Sequence, residues 1–131
     1  MIFIDSSAFL ATVKVDDINH SLAKQQWINL LNANETFYTN NYVVLESIAI
    51  LQKRSGLSVV KKLQSNILSL VSIDWVDEEY HSQALKTVFE LNRRKISLVD
   101  CTAFQTMRRL GIEAAFTFDN HFREEGFKVI P

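Results

Sequence analysis

The chain predicts a three-layer α/β fold: a mostly parallel five-stranded sheet covered by helices on both faces. Three observations carry that prediction. Short apolar runs alternate with segments of helical periodicity along the whole sequence. With three glycines and one terminal proline, there is little room for long loops or a linker. A length of 131 residues suits one compact domain, expected over 1–131, with a core able to stand alone.

Ile2–Ile4 reads as a short buried strand, and Ser6–Val13 as the helix that follows it. Asp16 or Asp17 is expected to cap a second helix reaching about Leu31, with Leu22, Trp27, Leu30 and Leu31 at helical spacing. The second strand is predicted at 36–39. Asn41 opens a long apolar helix that ends near Ser55, where Gly56 offers a C-terminal stop. Another helix is predicted over 58–70, with Val59, Val60, Leu63, Ile67, Leu68 and Leu70 turned inward. The third strand is expected at 72–76, after which Asp77, Glu78 and Glu79 favour the positive end of a helix dipole. That helix carries Tyr80, Ala84, Leu85, Val88 and Leu91 and stops before Arg93-Arg94-Lys95. Ser97 opens the next helix and Gly111 ends it, with strands at 114–118 and 127–130 closing the chain. Phe3, Phe9, Phe37, Phe89, Phe104, Phe116 and Phe118 are expected in the core, and Phe122 against the turn after Asp119.

Composition narrows the function classes. An apolar fraction of 47% with 22% charged residues is ordinary for a globular chain and far from disorder. The single cysteine, Cys101, rules out an intramolecular disulfide and fits a reducing cytoplasm. No apolar stretch approaches a membrane span, and no signal-peptide pattern is evident. A net charge of −1 and a pI near 6.3 argue against strong, indiscriminate nucleic-acid binding. Lys61-Lys62, Arg93-Arg94-Lys95 and Arg108-Arg109 are three local basic clusters, a pattern more often found on solvated helix faces.

Asp5, Glu46, Asp100 and Asp119 each close or interrupt an apolar run. Buried carboxylates need a cation, a metal or a set of hydrogen bonds. The aspartates also have structural explanations. Asp5 can cap the helix after it, Asp119 can cap a turn over 120–123, and Asp100 stands at capping-box spacing from Ser97. For Glu46 the structural alternative is a solvent-exposed stripe shared with Tyr42 and Lys53, and it is a poor one. Glu46 lies mid-helix, and Lys53 is seven residues away, beyond the reach of helical neighbours.

Ligands of parallel sheets gather beyond the strand carboxyl ends, where strand order reverses. Asp5 ends the first strand and Asp119 follows the fourth, so adjacency of those strands would point both acids into one crevice. Three aspartates and a glutamate would form the hard oxygen set that magnesium and manganese prefer, suited to in-line phosphoryl displacement. Ser7, Thr117 and Asn120 can orient carboxylates, or make routine turn and cap bonds. Other chemistries fit poorly. His20, His81 and His121 lack zinc spacing, Cys101 reads as a small buried residue, and there is no glycine-rich phosphate loop.

At these residues the chain resembles the PIN-domain nucleases, and within them the VapC-like ribonuclease toxins of type II toxin–antitoxin pairs. The matching pieces are Ile4-Asp5-Ser6-Ser7, Val44-Leu45-Glu46, Ser97-Leu98-Val99-Asp100 and Thr117-Phe118-Asp119-Asn120-His121-Phe122, with Gly126-Phe127-Lys128-Val129-Ile130 at the end. The resemblance implies a sheet ordered 3-2-1-4-5, with Asp5, Glu46, Asp100 and Asp119 around Mg²⁺ or Mn²⁺ and Ser7 and Thr117 in support. It implies hydrolysis of RNA to a 5′-phosphate and a 3′-hydroxyl, homodimerisation, and inhibition by a small antitoxin. A stand-alone RNA-processing nuclease and a catalytically silent PIN-like binding module are the alternatives. A signalling receiver domain fits less well, because two serines follow Asp5 and Asp77 reads as a helix cap.

Overall fold

The computed structural model describes residues 1–131. Its strands are β1 (Ile2–Ile4), β2 (Phe37–Asn40), β3 (Val71–Asp74), β4 (Ala114–Phe116) and β5 (Lys128–Ile130). They form one parallel sheet in the order β3-β2-β1-β4-β5, as the resemblance implies. The central strand β1 is buried on both faces, which explains why it is apolar throughout rather than alternating. Helices α1 (Ser6–Val13), α2 (His20–Asn32), α3 (Asn41–Ser55), α4 (Leu57–Lys62), α5 (Glu78–Leu91), α6 (Leu98–Leu110) and α7 (His121–Glu124) complete the chain. Phe3, Phe9, Phe104, Phe116 and Phe122 are fully enclosed in the core. Phe104 meets Phe122 edge to face with ring centroids 5.1 Å apart, which fastens α6 to α7.

Several sequence expectations need correction. Helix α2 starts at His20 rather than at Asp16 or Asp17, because the Asp17 side chain accepts from Asn19 N at 2.8 Å in a turn upstream. Within α2, Trp27 and Leu30 are buried, but Leu22 and Leu31 are exposed. The single helix expected over 58–70 is instead α4 followed by a π turn (Leu63–Ile67) and a 3-10 turn (Leu68–Leu70). The wider π turn lets Leu63, Ile67 and Leu68 all reach the core, and it leaves Leu70 outside. Strand β3 ends at Asp74, so Trp75 stands exposed beyond the sheet. Strand β4 stops at Phe116, and β5 begins only at Lys128. Phe89 is 72% exposed, on the outer face of α5, and is not a core residue.

Polar anchors fix the helices that frame the carboxyl end of the sheet. Asn40, fully buried at the end of β2, donates to Thr102 Oγ1 and Thr106 Oγ1, both at 3.2 Å. Its Oδ1 accepts from Val43 N at 2.9 Å and so caps α3. One side chain therefore ties β2, α3 and α6 together. Gly111 ends α6 at φ +70, a left-handed conformation that favours glycine.

Candidate metal centre

Strand order reverses between β1 and β4, which are hydrogen-bonded neighbours with Ile4 opposite Phe116. Asp5 N donates to Phe116 O at 3.1 Å, so the chain leaves β1 directly beside Thr117. Asp5 occupies the N-cap position of α1, yet its side chain makes no capping bond. Instead, its Oδ2 accepts from Ser7 Oγ and from Thr117 Oγ1, each at 3.0 Å. Each hydroxyl in turn accepts a backbone N–H: Ser7 Oγ from Phe118 and Thr117 Oγ1 from Asp119, both at 3.0 Å. The two hydroxyl oxygens also lie 3.1 Å apart, so both belong to one hydrogen-bond network around Asp5. Ser7 and Thr117 therefore lock the carboxylate from two sides.

The other aspartates combine a structural bond with a free oxygen. Asp100 and Ser97 form a full capping box, with Asp100 N donating to Ser97 Oγ and Ser97 N to Asp100 Oδ2, both at 3.0 Å. Asp119 Oδ1 accepts from His121 N at 2.9 Å, which closes the turn into α7. Neither Asp100 Oδ1 nor Asp119 Oδ2 accepts a hydrogen bond from the protein. Asn120, expected as a polar neighbour, turns its Oδ1 to Arg123 at 3.3 Å instead. Glu46, half-buried in the second turn of α3, carries no hydrogen bond and no ion pair.

The charges of these acids act on one another. Burial raises Asp5 from 3.8 to about 6, although the Ser6 N–H and the Thr117 and Ser7 hydroxyls pull the other way. Glu46 is raised by burial and then by the charges of Asp5, Asp100 and Asp119. Asp100 is raised by burial and by Asp119, against the lowering effect of the Ser97 backbone bond. Carboxylates whose charges raise one another have the chemistry to hold a cation, which would relieve that repulsion.

His121 belongs to this cluster, and its spacing in the sequence gave no sign of it. Its Nδ1 lies 3.2 Å from Asp119 Oδ1 and 3.8 Å from Asp100 Oδ2. The atom is buried, yet it sits off the line of any hydrogen bond and is left unpartnered. Ligand atoms of Asp100, Asp119 and His121 lie within 4.8 Å of one another. The available signal was its position two residues after Asp119, where the Asx turn swings the ring back over the acids. Elsewhere, a cleft of about 510 Å³ between α5 and α6 is lined by Tyr80, Cys101 and Arg108 but by none of the four acids. Burial pushes the Cys101 thiol up to about 11, which leaves it inert as a nucleophile.

Comparison with known proteins bears on the family and the fold. The PIN domain family profile matches residues 2–128. The 23S rRNA-specific endonuclease VapC20 of Mycobacterium tuberculosis is 30% identical over 128 residues, spanning 97% of this chain and 95% of the relative. The crystal structure of that protein, described as a sarcin-ricin loop cleaving toxin, superposes with a TM-score of 0.84 at 29% identity, covering 97% of this chain and 96% of the other. FitAB bound to an IR36 DNA fragment gives a TM-score of 0.67 at 17% identity, covering 99% of this chain and 94% of the other. FitAcB from Neisseria gonorrhoeae gives 0.66 at 19% identity, covering 100% and 97%. These last two show the shared fold.

Proposed function

Because this chain belongs to the PIN domain family, we propose that it is a divalent-metal-dependent endoribonuclease and the toxin of a toxin–antitoxin pair. Asp5, Glu46, Asp100 and Asp119 are its metal-holding and catalytic carboxylates, supported by Ser7 and Thr117. The observation that carries this reading is the gathering of Asp100, Asp119 and His121 ligand atoms within 4.8 Å of one another beside the strand-order reversal that Asp5 closes, with Glu46 raised by the charges of the three aspartates.

The donor set suits Mg²⁺ or Mn²⁺, hard ions that take carboxylate oxygens and keep waters of their own. The unpartnered His121 Nδ1 adds a nitrogen to that set and tilts it towards Mn²⁺. A bound ion would supply electrostatic stabilisation of the charge that develops on the phosphodiester during in-line displacement. The chain's own residues do the positioning. The two hydroxyls fix Asp5, the capping box fixes Asp100, and the Asx turn fixes Asp119. Glu46, raised and free of hydrogen bonds, is the carboxylate available to accept a proton from the attacking water.

The specificity of the M. tuberculosis relative makes 23S rRNA the first substrate to test. An antitoxin covering the acidic groove and pairing of two copies are part of the same reading. Exposed Leu45, Trp75 and Phe89 offer apolar surface for such contacts. No helix is long and apolar enough to cross a membrane, and the proposed place of action is the cytoplasm. The test compares wild type with Asp5→Asn on total cellular RNA, with Mg²⁺ or Mn²⁺ and with chelator. The expected result is metal-dependent cleavage by wild type alone. Cleavage without metal, or undiminished in the variant, would overturn the mechanism. Growth arrest on expression, relieved by a neighbouring small gene, would establish the toxin role.

A further inference from the structure

The three basic clusters of the sequence have different fates in the fold. Arg108 pairs with Glu125 at 2.8 Å and lies over the Phe127 ring, while Arg109 pairs with Asp74 and lies over Tyr80. Both are committed to holding the structure together. Lys61 and Lys62 belong to α4, and Lys62 lines a cavity with Thr12 and Val13 at the far end of α1 from Asp5. At about 1.5 Å rise per residue, the length of α1 separates that end from Asp5 by roughly 12 Å.

The connection between α5 and α6 differs from both. Asn92 ends α5 in the left-handed conformation, at φ 49. Ile96 N then donates to Arg93 O at 3.1 Å, closing a turn with Arg94 and Lys95 at its two central positions. The turn is pinned on three sides. Ile96 is buried in the core, Arg93 pairs with Glu124 of α7 at 2.9 Å, and Ser97 is locked to Asp100. Two of these pins reach the segments that carry Asp119 and Asp100. Arg94 and Lys95 are both exposed, and neither side chain makes a hydrogen bond or an ion pair. Two unpaired cations thus extend from an anchored turn, just ahead of the Ser97–Asp100 capping box.

On the endoribonuclease reading, a polyanionic substrate must approach four carboxylates on a chain whose net charge is −1. Local cations have to offset that repulsion, because phosphate contacts by lysine and arginine dominate nucleic-acid affinity. We propose that the Arg94–Lys95 turn is the RNA-backbone contact of this protein, gripping phosphates beside the one presented to Asp100 and Asp119. The inference rests on the endoribonuclease reading and adds its substrate-binding element.

The test uses the full chain and purified 23S rRNA, comparing wild type, R94A/K95A, the charge-keeping R94K/K95R and the distal control K61A/K62A. Cleavage in Mn²⁺ gives KM and kcat, and binding in chelator gives affinity against salt. Thermal melting confirms that these surface variants fold. The turn predicts that R94A/K95A raises KM roughly ten-fold with kcat little changed. It also predicts that the slope of log affinity against log salt falls by about 1.4 to 1.8, the share of two phosphate contacts. R94K/K95R should restore both, and K61A/K62A should match wild type. Wild-type cleavage with KM and salt slope unchanged in R94A/K95A would overturn this inference alone. Failure of wild type to cleave RNA in Mn²⁺ would overturn the endoribonuclease reading, and this inference with it.

Discussion

Replacing Asp5 with asparagine should stabilise the metal-free protein while abolishing its activity. Asp5 is 4% exposed, and burial raises its carboxyl from 3.8 to about 6. A folded-state pKa above the unfolded one means that the native chain holds the proton more tightly, so ionisation costs native stability. Well below 3.8 both states are protonated and the penalty vanishes; it grows between 3.8 and about 6 and is complete above that. The difference between those two values, at about 1.36 kcal/mol per pH unit, sets a ceiling of about 3 kcal/mol. Asparagine removes the charge, and its Oδ1 can still accept from the Ser7 and Thr117 hydroxyls. For a chain of this size the ceiling corresponds to a rise in Tm of about 10 °C. The assay is scanning calorimetry of both proteins in chelator from pH 4 to pH 8. The variant should be the more stable at pH 8, with the gap closing towards pH 4. A variant no more stable than wild type at pH 8, or a gap undiminished at pH 4, would refute the reasoning. Saturating Mn²⁺ should narrow or reverse the order, since an ion at about a hundred times its Kd adds about 2.7 kcal/mol to the protein that binds it.

Three further outcomes follow from the same geometry. Because Asp5, Glu46 and Asp100 are all raised, ion binding near pH 6 should release protons and weaken as pH falls; calorimetric titration in buffers of different ionisation enthalpy reads this directly. Ser97→Ala breaks the capping box, so urea unfolding should show a loss of about 1 kcal/mol, and kcat should fall as Asp100 loses its orientation. Asn40→Leu leaves Val43 N uncapped and removes the donor to two buried threonine hydroxyls; a loss of about 2–3 kcal/mol in urea unfolding is expected, with reduced cleavage as α3 and Glu46 shift.

The fold was legible because its signals are local. The apolar run before Asp5, the Asn41 helix start and the Gly111 stop are each set by neighbours in sequence, and they stand where expected. The errors fall where tertiary packing decides. Nothing in the pattern of 58–70 announces a π turn, which forms so that Leu68 can join Leu63 and Ile67 in the core. Phe89 looks like core by type, yet it faces outward from α5. Among the acids, the cap explanation holds for Asp100 and, as an Asx turn, for Asp119. It fails for Asp5, whose side chain turns from the helix to Thr117 across 112 residues of sequence. Asn40 was silent for the same reason, because its threonine partners lie far along the chain, whereas His121 sits two residues from Asp119 and was passed over for want of zinc spacing. Glu46, the acid without a good structural explanation, has no hydrogen bond in the fold either, and the charges of the other three raise it.

The most direct test of the central claim is anomalous diffraction from crystals grown with Mn²⁺. A peak within coordinating distance of Asp100 and Asp119, reached also by Asp5 or Glu46 and lost in the Asp119→Asn variant, is the predicted result. A protein that binds Mn²⁺ only elsewhere, or that leaves these four carboxylates without an ion while cleaving RNA, would contradict it.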